Sequence, residues 1–291
     1  MSSTENSGWG LGMTHEQVLE HVEAKSRQRW DRDPIEPRPT RALVTIVHNE
    51  PFFLPIWLDY YSRFFASDDI YVLDHDSNDG STDIGGFHRI PVSHEGVDHK
   101  WMLDTVTNLQ HELQHRYDTV LVCDVDEIMA PDPRLGDLGA YLDRFDDPFI
   151  ASVGFEVLHD PTTEPAFDPD RGVMEQRGTW FASSAYNKPV LGTEPLEWIS
   201  GFHGLADARF NMDPNLYLIH LHRLDYAQCK RRHHLRRNLT WAEDDLARNY
   251  AVHNLVHEGD EFDRWFATEK NGLDDTPMTT EPIPDFWRDA F

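Results

Sequence analysis

The run ALVTIV, Ala42 to Val47, limits what this chain can fold into more than any other stretch. Consecutive apolar and β-branched residues with no polar alternation suit a strand covered on both faces, the condition met inside a parallel sheet with helices on either side. The run has companions. IYVLDHDS is a second strand candidate, RIPVS a third and TVLVCDVD a fourth, with helix-compatible FFLPIWLDYYSRFF and KWMLDTVTNLQHELQHR between them. Strands and helices alternating in this way imply right-handed crossovers and an α/β fold with a mostly parallel central sheet flanked by helices. Ligands gather at the carboxyl ends of such strands.

Apolar runs of the first half give way to polar residues at those ends: His48, Asn49 and Glu50 after the first, Asp74 to Asp79 after the second, and Asp124, Asp126 and Glu127 after a later one. In the sheet just described the three ends meet at one crevice. Residues two apart on an extended segment share a face, so Asp124 and Asp126 can reach the same object. Carboxylates that close repel unless a cation lies between them, and loss of one is expected to leave the fold intact. Oxygen ligands suit a hard ion such as Mg2+ or Mn2+, which completes its shell with water and a substrate's phosphates. A solvated turn is the plainer explanation of an isolated D-x-D in a chain with 52 acidic residues. Its place at a strand end, matched on two other strands, argues for metal.

Upstream, THEQVLEHVEAKSRQRW opens with Thr14 and Gln17 at capping-box spacing and continues as a polar helix, an expected appendage. DRDPIEPRPTR, with its prolines and charges, reads as a linker and puts the start of the main domain at Arg41. The expected organisation is a helix and Pro-rich linker over 1–40, a ligand-binding α/β half over 41–133, a less regular half over 134–258 and an acidic tail over 259–291.

Composition removes several classes. A formal net charge of −26, from 52 acidic and 26 basic residues, repels nucleic acid and anionic membranes, so no nucleic-acid partner is expected. No stretch approaches the roughly eighteen apolar residues of a membrane span. MSSTENSGWGLG lacks the basic flank and apolar core of a signal peptide, so a cytoplasmic protein is the expectation. Cys123 and Cys229 form no C-x-x-C pair, so neither a disulfide framework nor a thiolate zinc site is expected. P-loop and G-x-G-x-x-G motifs are absent, which leaves a nucleoside triphosphatase or a Rossmann dehydrogenase without support.

Taken in order, VTIVHNE, FLPIWLDYY, YVLDHDSNDGST and LVCDVDE resemble the GT-A fold glycosyltransferases, in particular family-2-like bacterial members with a D-x-D motif. The resemblance spans Arg41 to Pro131, with NKPVLG, GFHG and LIHLHRLDY resembling the acceptor half of such proteins. It implies a GT-A type fold and transfer of a sugar from a nucleotide diphosphate donor to an acceptor hydroxyl, with Mn2+ or Mg2+ on the diphosphate. A UDP-sugar is the family's commonest donor, and a glycan or other hydroxyl compound is the implied acceptor. Carried onto this chain, the resemblance makes Asn49, Glu50, Asp74, Ser77 and Asp79 nucleotide-site residues, Asp124 a ribose or metal contact and Asp126 the principal metal ligand. It also implies a histidine from the second half at the metal. His220 and His222 both fit, with His222 slightly ahead, and share a face if their segment is a strand.

Lys188 in NKPV is a candidate to offset diphosphate charge, competing with an ordinary surface lysine. An inverting transfer also needs a carboxylate or histidine to take the acceptor's proton. Glu197 and His203 in EPLEWISGFHG are the candidates, against a surface acid and a packed histidine. The basic run KRRHHLRR, Lys230 to Arg237, is set down first as a solvated helix face and second as an anion site. A non-catalytic nucleotide- or glycan-binding module stays open while the base is unassigned.

HELQH, His111 to His115, matches the H-E-x-x-H of zinc proteases and is the rival reading. Met102, Val106, Leu109 and Leu113 form the apolar stripe of the same helix. At about 100° per residue His111 and His115 fall opposite that stripe, toward solvent. Arg116 directly after the motif, and Leu121 where one extended motif has a third histidine, also weigh against a protease.

Overall fold

The computed structural model describes residues 15–256, 259–268 and 278–291; Thr14, the expected start of the capping box, lies outside the described residues. The chain runs through α1 (His15–Asp31), β1 (Arg41–Val47), α2 (Phe53–Tyr61), β2 (Ile70–His75), β3 (His88–Val92), α3 (His99–Gln114) and β4 (Thr119–Val122). These four strands pair in parallel in the order β4-β1-β2-β3, with Leu43 opposite both Ile70 and Leu121. Every residue of β1 after Arg41 is buried, as its unalternating pattern requires. Asp98 caps α3 by accepting from the Trp101 N–H, and the helix buries Val106 and Leu113 of its stripe.

The second half contributes β5 (Glu127–Pro131), α4 (Leu138–Leu142), β6 (Phe149–Leu158), β7 (Thr179–Ala182), β8 (Leu191–Gly192), β9 (Met212–His220), α5 (Tyr226–Arg237), α6 (Glu243–Ala247), α7 (Asp260–Phe266) and β10 (Glu281–Pro282). Short β8 pairs antiparallel with both β4 and β6 and joins the halves into one ten-stranded sheet. The α/β class and the flanking helices are those the sequence implies. Continuous parallel pairing ends at β4; among the named strands of the described residues, the other parallel pair is β6 with β9.

Two segments are more integral than their sequences suggest. α1 is no appendage: Val18 and Val22 are buried, and Arg29 donates to the Tyr141 hydroxyl at 2.8 Å and pairs with Asp147 and Asp213. Past residue 258, α7 buries Phe262, Trp265 and Phe266, and Ile283, Trp287 and Phe291 join the main core. Among the described residues no helix is long and apolar enough to cross a membrane.

Candidate functional site

A cleft of about 760 Å³ opens at the carboxyl ends of β1, β2 and β4, lined from the first half by Glu50, Asp124 and Asp126 and from the second by His203, His222 and Arg232. That size suits a cofactor or nucleotide ligand.

The D-x-D acids lie in a turn, because β4 stops at Val122 and the Glu127 N–H donates to the Asp124 carbonyl at 2.9 Å. They face different cations. Asp124 accepts from Lys188 Nζ at 2.9 Å, and the same ammonium lies 2.5 Å from Glu127 Oε1. Asp126 Oδ2 accepts from Arg232, with His222 Nδ1 at 3.3 Å and His220 Nε2 at 3.5 Å. The charges that crowded carboxylates need therefore come from the chain itself. Lys188 is buried, which removes the surface-lysine alternative.

These contacts set the protonation states. Burial disfavours the Asp126 charge, but Arg232 and His220 outweigh it and hold the carboxyl well below the usual carboxylate range. Burial also opposes a charge on His220, yet Glu156, 2.6 Å from Nδ1, and Asp126 push its pKa up to about 10. His222, buried and beside Arg232, is held well below the ordinary histidine value and is neutral.

α5 starts at Asp225, whose side chain accepts from the Gln228 N–H at 2.9 Å. Its spacing brings Arg232 and Arg236, one turn apart, to Glu50, at 2.8 Å from Arg232 Nε and 3.1 Å from Arg236 Nη2. The basic run is thus divided: Arg231 and His234 are exposed, while Arg232 and Arg236 line the cleft. Reading the run as a solvated face misses that inward side.

Asn49, Asp74, Ser77 and Asp79 build the loop behind the cleft and do not line it. Asn49, at φ 53°, accepts from the N–H groups of Asn78 and Asp79 at 2.8 and 3.3 Å, and its own N–H donates to Ser77 Oγ at 3.0 Å. Asp74 accepts from the Ser77 N–H, Thr82 Oγ1 and Arg89 Nε at 3.0, 3.0 and 2.6 Å. Asp79 accepts from the Ser81 N–H at 2.9 Å. With Asn49, it borders a smaller hollow that shares Glu50 and Arg232 with the cleft.

The two base candidates separate. Glu197 is 72% exposed, lies 3.6 Å from His111 and is not in the cleft lining. His203 faces the cleft with Nδ1 2.6 Å from the Ala185 carbonyl, so Nδ1 carries the proton and Nε2 keeps a lone pair. Partial enclosure and the Lys188 charge hold its pKa below the ordinary histidine value. Gly201 supports the ring: its φ is +73°, and an added Cβ would stand 2.6 Å from His203 Nε2.

Glu156 escaped the sequence reading. It accepts from Tyr186 Oη at 2.8 Å and from the Arg223 N–H at 3.0 Å, besides His220. The available signal was a lone acid in the apolar run FIASVGFEVL, an arrangement that survives burial only with partners.

Among the described residues, two groups of metal-ligand type have donor atoms within 4.8 Å of one another: Asp126, His220 and His222; and His222, Cys229 and His233. HELQH is in neither. His115 is exposed as its helical position implies, whereas His111 is half-buried, with Nε2 3.1 Å from the Leu196 carbonyl. Replacing both by alanine removes one ordinary hydrogen bond, so stability should fall by about 1 kcal/mol. Bound metal should stay at the parent level by elemental analysis; loss of metal in that double variant would restore the protease reading.

No family model matches the chain, and no curated protein matches it. Among solved structures, a mannosyltransferase, PcManGT from Pyrobaculum calidifontis in complex with GDP-Man and Mn2+, is similar at 14% identity, with 75% of this chain and 69% of that chain covered and a TM-score of 0.37. A likeness of that extent assigns neither a substrate nor site residues to this chain.

Proposed function

We propose that this cleft binds a nucleotide diphosphate sugar together with Mn2+ or Mg2+ and transfers the sugar to an acceptor hydroxyl, in the manner of a GT-A type glycosyltransferase. The observation that carries the proposal is the meeting of Lys188, Arg232 and Arg236 with Asp124, Asp126 and Glu50 at the carboxyl ends of parallel strands, in a cleft of nucleotide size. Buried Lys188 and Arg232 and half-buried Arg236 beside acids suit a diphosphate and its counter-ion.

Carboxylate oxygens with a neutral imidazole fit Mn2+ and, less well, Mg2+. Asp126 would be the principal ligand, with Asp124 beside it and either His222 or, once it gives up the proton that Glu156 and Asp126 hold on it, His220. When bound, the ion supplies Lewis-acid stabilisation of the departing diphosphate. Lys188 and Arg236 offset the remaining negative charge. Neutral His203 accepts the acceptor hydroxyl's proton at Nε2 while that oxygen bonds to the anomeric carbon and the bond to diphosphate breaks. Such a single displacement inverts the anomeric centre. Glu197 takes no part in this step. Asn49, Asp74, Ser77 and Asp79 act by shaping the loop that walls the nucleoside end.

A nucleoside diphosphate with Mn2+ should raise the melting temperature, because a ligand at a hundredfold excess over its Kd stabilises the native state by about 2.7 kcal/mol. Either component alone should do far less. UDP is the first to test, followed by GDP, CDP and dTDP. A melting curve unmoved by all four with Mn2+ contradicts the proposal.

A further inference from the structure

We propose that His222, Cys229 and His233 form a zinc site that adjoins the donor site; zinc there takes His222 and leaves His220 as the histidine beside Asp126. Cys229 and His233 stand four residues apart on α5 and so share one face of the helix, and His222 reaches them from the turn between β9 and α5. All three are buried, at 0%, 2% and 4% exposure. His222 Nε2 and His233 Nε2 lie 2.8 Å apart, and the Cys229 sulfur belongs to the same group.

The donor types select the metal. Two imidazoles and a thiolate suit zinc and repel no charge from it, whereas Mg2+ and Ca2+ take oxygen. A hydrogen bond between the two imidazoles accounts for their approach, and Cys229 packs with Phe262, Trp265 and Phe266, yet its sulfur also comes within ligand distance of both rings. A second observation comes from the other side of the His222 ring. Nδ1 lies 3.3 Å from Asp126 Oδ2 and accepts from Arg232 Nη1 at 3.1 Å; zinc on Nε2 would move the ring proton to Nδ1, toward Asp126, the carboxylate that would then orient the imidazole.

Zinc binding would release the Cys229 thiol proton, and a fourth ligand would complete the shell beyond these three donors found among the described residues. The chelate would tie the end of β9 to α5, the helix that carries Arg232 and Arg236 to the cleft. It would thus hold the anion-facing arginines in place without touching substrate. The C-x-x-C criterion overlooked it because here the helical C-x-x-x-H spacing does the chelating.

The test uses the full chain, purified without chelator, supplied with Zn2+ and dialysed. Elemental analysis should find about one zinc per chain, and Co2+ in its place should show a thiolate-to-cobalt charge-transfer band in the near ultraviolet. Cys229→Ser should lose both signals, and Asp124→Asn, which alters only the donor site, should keep both. Zinc lost in Asp124→Asn but kept in Cys229→Ser would overturn the assignment. So would a parent protein that retains no zinc and shows no thiolate band with Co2+, a result that does not depend on any variant folding.

Discussion

Arg232→Met is expected to destabilise the chain by about 3–5 kcal/mol, the cost of leaving a buried charge without its partner. Arg232 neutralises Asp126 and shares Glu50 with Arg236, so the loss falls chiefly on Asp126. Methionine can keep much of the packing that the side chain makes over the Phe53 ring, 4.6 Å from the guanidinium carbon. The sign of the pH dependence follows from the depressed Asp126 pKa. A carboxylate held below its unfolded value adds stability above the unfolded pKa and loses it as pH falls through the folded one. Without Arg232 the largest part of that contribution is lost while the His220 part remains, so the gap between parent and variant should be widest near neutrality and should narrow on acidification. Mn2+ should narrow it at neutral pH by returning a cation to Asp126. Urea unfolding at two pH values, with and without Mn2+, measures this. A variant as stable as the parent at neutral pH would show that Asp126 does not depend on Arg232.

How much of this was legible in the sequence differs by link. ALVTIV and IYVLDHDS declare buried parallel strands because the burial of both faces is written into consecutive residues. The apolar run FIASVGFEVL forms β6 from end to end. The two-residue β8, which joins the halves, has no pattern to declare it. Neither do the ion pairs. Asp126 meets Arg232 106 positions away and Asp124 meets Lys188 64 positions away, and such pairing is decided by the packing of whole elements. Judged locally, Asp124 and Asp126 look like mutually repelling acids whose loss would spare the fold. In the structure each has its own cation, so removing Asp126 strips Arg232 of a partner and should lower stability. His203 and Glu197 were equal candidates by type and spacing. Only the fold turns one to the cleft and the other to His111.

Asp126→Ala is expected to lower turnover about a thousandfold, since losing a ligand of the ion that neutralises the leaving diphosphate removes about 4 kcal/mol of transition-state stabilisation. Mn2+-dependent nucleotide binding should fall with it, and the melting temperature should drop below the parent's. Assays therefore belong at a temperature where the variant is folded by circular dichroism. The deciding measurement is release of free nucleoside diphosphate from a panel of sugar nucleotides, with and without Mn2+, by the parent and by folded Asp126→Ala. Release by the parent that requires Mn2+ and is nearly abolished in the variant is the expected result. Release by folded Asp126→Ala at the parent's rate, or none by the parent from any sugar nucleotide with Mn2+, would contradict a metal-dependent glycosyl transfer at this cleft.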